Sequence, residues 1–108
     1  MKMRTIVVAM STVLVMGSVQ PAMAINVQKT LQKQGCLKCH AISRKKDGPS
    51  IKEIAEKYRE QENGAVALRE HLTSEPEIEV DGKKEKHKKF EADEPSDLDA
   101  VVEWVLSK

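Results

Sequence analysis

Aromatic residues are nearly missing from this chain of 108 residues: Tyr58, Phe90 and Trp104 are all it has. A domain this short buries its apolar surface only marginally, so the protein part of the core is thin. Cysteine is scarce too. Cys36 and Cys39 are the only two, and lying in one short motif they leave none for a structural disulfide. All five methionines, Met1, Met3, Met10, Met16 and Met23, precede residue 25. An excess of charge is also absent. The formal net charge is +1, and the first 24 residues hold only Lys2 and Arg4; without them 16 basic residues face 17 acidic ones, a formal −1. Nucleic-acid binding would call for a basic domain and usually for stacking aromatics, and neither is present. The length allows one domain, and no internal repeat is visible.

The first 24 residues differ from the rest. Lys2 and Arg4 make a positive start, Ile6 to Met16 is almost wholly apolar, and Ala22-Met23-Ala24 is a small-x-small cleavage site. This pattern predicts a secretory signal peptide over 1–24, cut after Ala24, and a mature domain over 25–108. The apolar run is shorter than the ~20 residues a membrane span needs, so the mature protein is expected to be soluble.

The mature chain is organised around Cys36-Leu37-Lys38-Cys39-His40. Two cysteines flank two residues and a histidine follows at once, the attachment signature of a c-type heme. Each thiol can form a thioether to one vinyl group, and His40 can ligate the iron from below the ring. The same Cys-x-x-Cys spacing serves redox dithiols and half-sites for zinc. Zinc would need two further ligands, and outside the motif only His71 and His87 remain among the histidines. A buried porphyrin would also supply the apolar bulk that the few aromatics do not.

Periodicity places helices around the motif. Val27 and Leu31 share a face over 27–35, with Asn26 as N-cap and Gly35 closing the segment. Residues 41–49 read as loop, with a basic run at Arg44, Lys45 and Lys46 and a turn at Asp47-Gly48-Pro49. Ser50 and Glu53 form a capping box ahead of Ile51, Ile54, Ala55 and Tyr58, one helical face that continues as far as Gln61. Asn63-Gly64 breaks the chain, and Ala65, Leu68 and Leu72 line a third helix to Thr73, with His71 at its apolar edge. Residues 74–95 read mostly as loop, with a brief extended piece at Ile78 and Val80; a connection of that length usually carries function. Ser96 opens a last helix with Leu98, Val101, Val102 and Val105 inward.

With these features in order, residues 27–108 resemble a small class I cytochrome c, nearest the short bacterial cytochrome c-551 group. The pattern is a helix ending in Gly-Cys-x-x-Cys-His, Gly48-Pro49 after it, a capped helix, a third helix, a loop, and a closing helix reading Ala-Val-Val-Glu-Trp-Val-Leu-Ser. The resemblance implies an all-α fold of about four helices wrapped around one covalently attached heme c. It implies first and last helices packed crosswise, with Gly35 at the crossing and Trp104 in the helix contact. It also implies that the Pro49 carbonyl accepts the outer ring proton of His40, which would fix the tautomer and raise ligand basicity.

The chain departs from that family at the sixth iron ligand. The family takes a methionine from the late loop, and the mature chain has none. His87 lies where that methionine would be and ranks first; His71, a lysine of the run Lys83, Lys84, Lys86, Lys88 and Lys89, or an open position follow. The predicted metal ligands are therefore His40 and His87, with Cys36, Cys39 and Pro49 completing the cofactor site. Two imidazoles leave no place for substrate, and the expected function is a non-enzymatic periplasmic electron carrier that passes single electrons between redox proteins. A metal- or iron-oxidising chain would suit such a shuttle. Expected partners have an acidic docking face, met by Lys38, Arg44 to Lys46 and the late lysines, and include a multiheme or membrane-associated cytochrome. The alternative is a ligand-binding, sensory or peroxidatic heme protein with a displaceable sixth ligand.

Overall fold

The computed structural model describes residues 12–14, 17 and 25–108. The signal-peptide reading of 1–24 otherwise lies outside the described residues. Four helices, α1 (Val27–Lys33), α2 (Ile51–Arg59), α3 (Gly64–Thr73) and α4 (Pro95–Leu106), surround one core, with a two-stranded hairpin, β1 (Glu77–Val80) and β2 (Lys83–Lys86), between α3 and α4.

Local chemistry explains the boundaries. The Asn26 side chain accepts from Lys29 N–H at 3.1 Å and starts α1. Gly35 follows at φ +80°, the left-handed region where glycine carries no penalty. A Cβ there would meet only the Lys88 and Lys38 side chains at 3.7–3.9 Å, which is ordinary contact. Gly35 is thus a turn residue; the expectation that it lies at a helix crossing does not hold. Ser50 Oγ accepts from Glu53 N–H at 3.1 Å and opens α2, which ends at Arg59, two residues short of the expected end. Gly64 begins α3 because a Cβ would lie 1.8 Å from the Tyr58 carbonyl oxygen.

Two expectations are corrected. The stretch read as loop holds the hairpin, in register Glu77↔Lys86 through Val80↔Lys83. Asp81 (φ 51°) and Gly82 (φ 77°) supply the two left-handed residues that a tight type I′ turn needs. The second strand was illegible because Lys83-Lys84-Glu85-Lys86 has no apolar alternation and is exposed throughout. The last helix starts at Pro95, and the Glu94 N–H donates to Asp97 Oδ2 at 3.2 Å, so the cap lies two residues before Ser96. Asp99, in the first turns of α4, pairs with Arg69 across to α3.

α4 packs on α1, α2 and α3. Its buried face, Val101, Val102 and Val105, meets Val27 and Leu31 of α1, Ile51 and Tyr58 of α2, and Leu68 of α3 in one cluster, with Trp104 packed at the margin. Phe90 joins this core at 3% exposure. The segment carrying it is tied down on two sides: Phe90 N–H donates to the Leu72 carbonyl at 2.8 Å, while the Gln34 amide gives to the Glu91 carbonyl at 2.7 Å and takes from Glu91 N–H at 2.9 Å.

Candidate functional site

The core encloses a cavity of about 800 Å³. Its walls include Leu31, Ile51, Leu68, Phe90, Val101 and Val105, and Cys36, Cys39, His40, Pro49, His71 and His87 open onto it. The four helices thus spend much of their apolar surface on a space and not on each other.

The motif is shaped by one 3₁₀ turn, Cys36–Lys38. Cys39 N–H and His40 N–H both donate to the Cys36 carbonyl, at 3.3 and 3.2 Å, which turns both thiols and the imidazole toward the same cavity. Burial pushes the Cys36 thiol above its ordinary range, opposed in part by the nearby positive charge of Lys88. His40 is oriented by its outer nitrogen: Nδ1 lies 2.7 Å from the Pro49 carbonyl oxygen. A carbonyl can only accept, so Nδ1 carries the proton and Nε2 keeps a lone pair for a metal. Gly48 is needed beside it, because a Cβ there would lie 2.7 Å from His40 Cε1.

His87 follows β2, and its backbone N–H donates to the Pro76 carbonyl at 2.8 Å, closing the base of the hairpin. Its ring centroid lies 6.1 Å from that of His40, with planes 42° apart. A metal between two imidazoles needs two bonds of about 2 Å plus the inner half of each ring, and the observed separation suits that arrangement. His71 is not an ordinary surface histidine. Its ring centroid is 4.6 Å from that of His87 and 6.5 Å from that of Tyr58. Burial, with the positive charge that protonated neighbours would add, shifts both His71 and His87 below the usual imidazole range and favours the neutral, ligating form. The only hint of His71 in the sequence was its place three residues after Leu68 on the apolar edge of α3.

The fit to a c-type heme is good on this chain's own features: an apolar cavity, two thiols on one turn, a histidine oriented from behind by a carbonyl, and a second imidazole opposite. The comparisons agree. The family model for cytochrome c matches residues 25–108. The chain belongs to the cytochrome c family. It carries one covalently attached heme c and serves electron transport. The solved class 1 cytochrome MtoD from Sideroxydans lithotrophicus ES-1 is similar at 36% identity and a TM-score of 0.70, over 75% of this chain and 90% of that one. Cytochrome c552 of Nitrosomonas europaea, at 22% identity and a TM-score of 0.55, shares the fold over 74% of this chain and 96% of its own. No curated protein matches the chain.

The lysines fall into two settings. In the hairpin, Lys84 and Lys86 stand opposite Glu79 and Glu77, and Lys84 Nζ lies 3.7 Å from a Glu77 carboxylate oxygen. Their charge is largely offset locally. Lys38 and Lys88, from the two groups that the sequence separates, converge over Gly35. Lys88 Nζ donates to the Gln34 carbonyl, and Lys46 Nζ to the Leu37 carbonyl at 3.2 Å. Lys88 also lines the cavity, and its charge lies close to Cys36.

Proposed function

We propose that this cytochrome is a bis-histidine, one-electron carrier of the periplasm, with Cys36 and Cys39 as the thioether attachments and His40 and His87 as the iron ligands. The heme, when bound, supplies reversible oxidation and reduction of one iron. The chain does the rest. Pro49 holds His40 in the ligating tautomer, His87 closes the opposite face against outside ligands, and the apolar walls keep water away. The observation that carries this reading is the 6.1 Å separation of the His40 and His87 rings. Residues 25–108 form the exported domain after removal of 1–24, a division that the start of the family match at residue 25 supports. Among the described residues no helix is long and apolar enough to cross a membrane.

With His40 and His87 both holding the iron, the protein would be a shuttle and not an enzyme; a sensory or peroxidatic role would require His87 to leave. Replacing thioether by imidazole lowers the potential relative to His/Met relatives, since methionine ligation raises it. A low-potential shuttle suits a metal- or iron-oxidising chain, with a multiheme or membrane-associated cytochrome as donor or acceptor. The group of Lys38, Lys46 and Lys88 around the attachment turn fits an acidic docking face on such a partner. The near-infrared ligand-field spectrum of the ferric protein tests the ligand pair. A bis-imidazole spectrum is expected, whereas a histidine–water spectrum would favour the open-iron alternative.

A further inference from the structure

His87 Nδ1 is buried and has no hydrogen-bond partner among the described residues. A buried polar nitrogen left in that state costs roughly 1–3 kcal/mol, so the site must offer it something. The nitrogen without accessible surface is turned into the protein, which leaves Nε2 to face the cavity. With Nε2 engaged there, Nδ1 carries the proton and needs an acceptor. Neither nearby carboxylate supplies one: Glu85 lines the cavity without a hydrogen bond to His87, and Glu91 is engaged through its backbone by Gln34. The ring that does lie against His87 is His71, edge to face at 61° with centroids 4.6 Å apart.

We propose that His71 is a positioning residue for His87: a nitrogen of its ring accepts the hydrogen bond from His87 Nδ1–H and so sets the orientation and donor strength of His87. This rests on the reading of His87 as an iron ligand. The two residues are already held in register. Phe90 N–H binds the Leu72 carbonyl and His87 N–H binds the Pro76 carbonyl, both at 2.8 Å, so the backbones on either side of the ring pair are tied together. His71 also borders a shallow recess formed with Tyr58, Glu70 and Pro76 on its outer side, where water can satisfy its second nitrogen. An acceptor behind a ligating imidazole makes it a stronger donor, which stabilises the ferric state.

The test uses the heme-loaded protein with ¹⁵N-labelled histidine at pH 8. In the diamagnetic ferrous state a scalar coupling across the hydrogen bond should link His87 Nδ1 to a ring nitrogen of His71. Absence of that coupling, with the Nδ1 proton bound instead to the rival acceptor, the adjacent Lys88 backbone, overturns the proposal. His71→Leu should raise the reduction potential and alter the ferric EPR g-values, which report ring orientation; His71→Gln, which keeps an acceptor, should return both toward the parent. Equal shifts in the two variants would mean packing alone, and no shift would mean no role; either result overturns it. If His71→Leu does not fold, the coupling in the parent protein decides. The ferric near-infrared spectrum separates the two claims. A bis-imidazole parent without the coupling removes only the role of His71, whereas a parent that is not bis-imidazole removes the ligand assignment and this inference with it. Loss of the bis-imidazole spectrum in His71→Gln would make His71 itself the ligand and also refute the proposal.

Discussion

His40 and His87 hold their imidazole centroids 6.1 Å apart with 42° between the ring planes, one from the turn after α1 and the other from the residue after β2. Changing His87 to methionine should keep the fold, raise the reduction potential and add a sulfur-to-iron charge-transfer band in the ferric spectrum. His87→Ala should admit cyanide or carbon monoxide to the iron. An H87A protein that stays bis-imidazole would show that another residue supplies the ligand.

Gly48 lies so close to His40 that a methyl group has nowhere to go, with Cε1 at 2.7 Å and Nδ1 at 3.0 Å from its Cβ position. Gly48→Ala should destabilise the loaded protein by about 1–3 kcal/mol, the usual cost of overpacking. The ring would be pushed off the Pro49 carbonyl, so the denaturation midpoint and the His40 Nδ1–H resonance should both move. An unchanged midpoint would mean that the loop shifts freely.

The cavity makes folding depend on its guest. An empty space of about 800 Å³ leaves the apolar side chains that line it, among them Leu31, Leu68 and Phe90, without packing partners on that side. Cys36→Ala with Cys39→Ala, which prevents attachment, should leave little helical circular dichroism in the exported chain. A cooperative thermal transition in that variant would contradict this.

Electron exchange with an acidic partner should be sensitive to salt through Lys38 and Lys88. Charge reversal at these two residues should slow second-order transfer at low ionic strength, with the difference shrinking as the screening length falls to about 8 Å at 0.15 M. Reversal at Lys84, which sits beside Glu77, should do less. Stopped-flow rates across a salt series check both, and equal effects at the two sites would place docking on the hairpin.

Burial raises the pKa of Tyr58 above its ordinary value of about 10. A folded-state value above the unfolded one means stability that is complete below about pH 10 and is lost as pH rises through the folded value. Tyr58→Phe should therefore flatten the alkaline limb of the stability curve relative to the parent. Parallel curves above pH 10 would show that Tyr58 ionises without unfolding the domain.

Much of this was legible from residues. Asn26 and Ser50 announced their helices because a side-chain oxygen placed to accept a backbone N–H is a local event. The hairpin is illegible in the sequence beyond the extended piece at Ile78 and Val80, since the second strand is charged on both faces and is stabilised by backbone pairing that composition does not display. α4 starts two residues ahead of the Ser96 that its sequence suggests, because Pro95 suits the first helical position and Asp97 reaches back to the Glu94 N–H.

The sequence by itself determined the chemistry. Cys36, Cys39 and His40 are adjacent in the chain, so their joint purpose is written in one local turn, and the lack of any methionine after residue 23 excluded the usual sixth ligand without reference to structure. Tertiary structure alone decided which distant groups meet. His71 comes against His87, because α3 and the late segment are drawn together by long-range packing around Phe90 and by the backbone bonds at Leu72 and Pro76, and Lys38 and Lys88 meet over Gly35. A one-dimensional pattern records which face of a helix is apolar, but not the rotation and depth at which that face meets its neighbours.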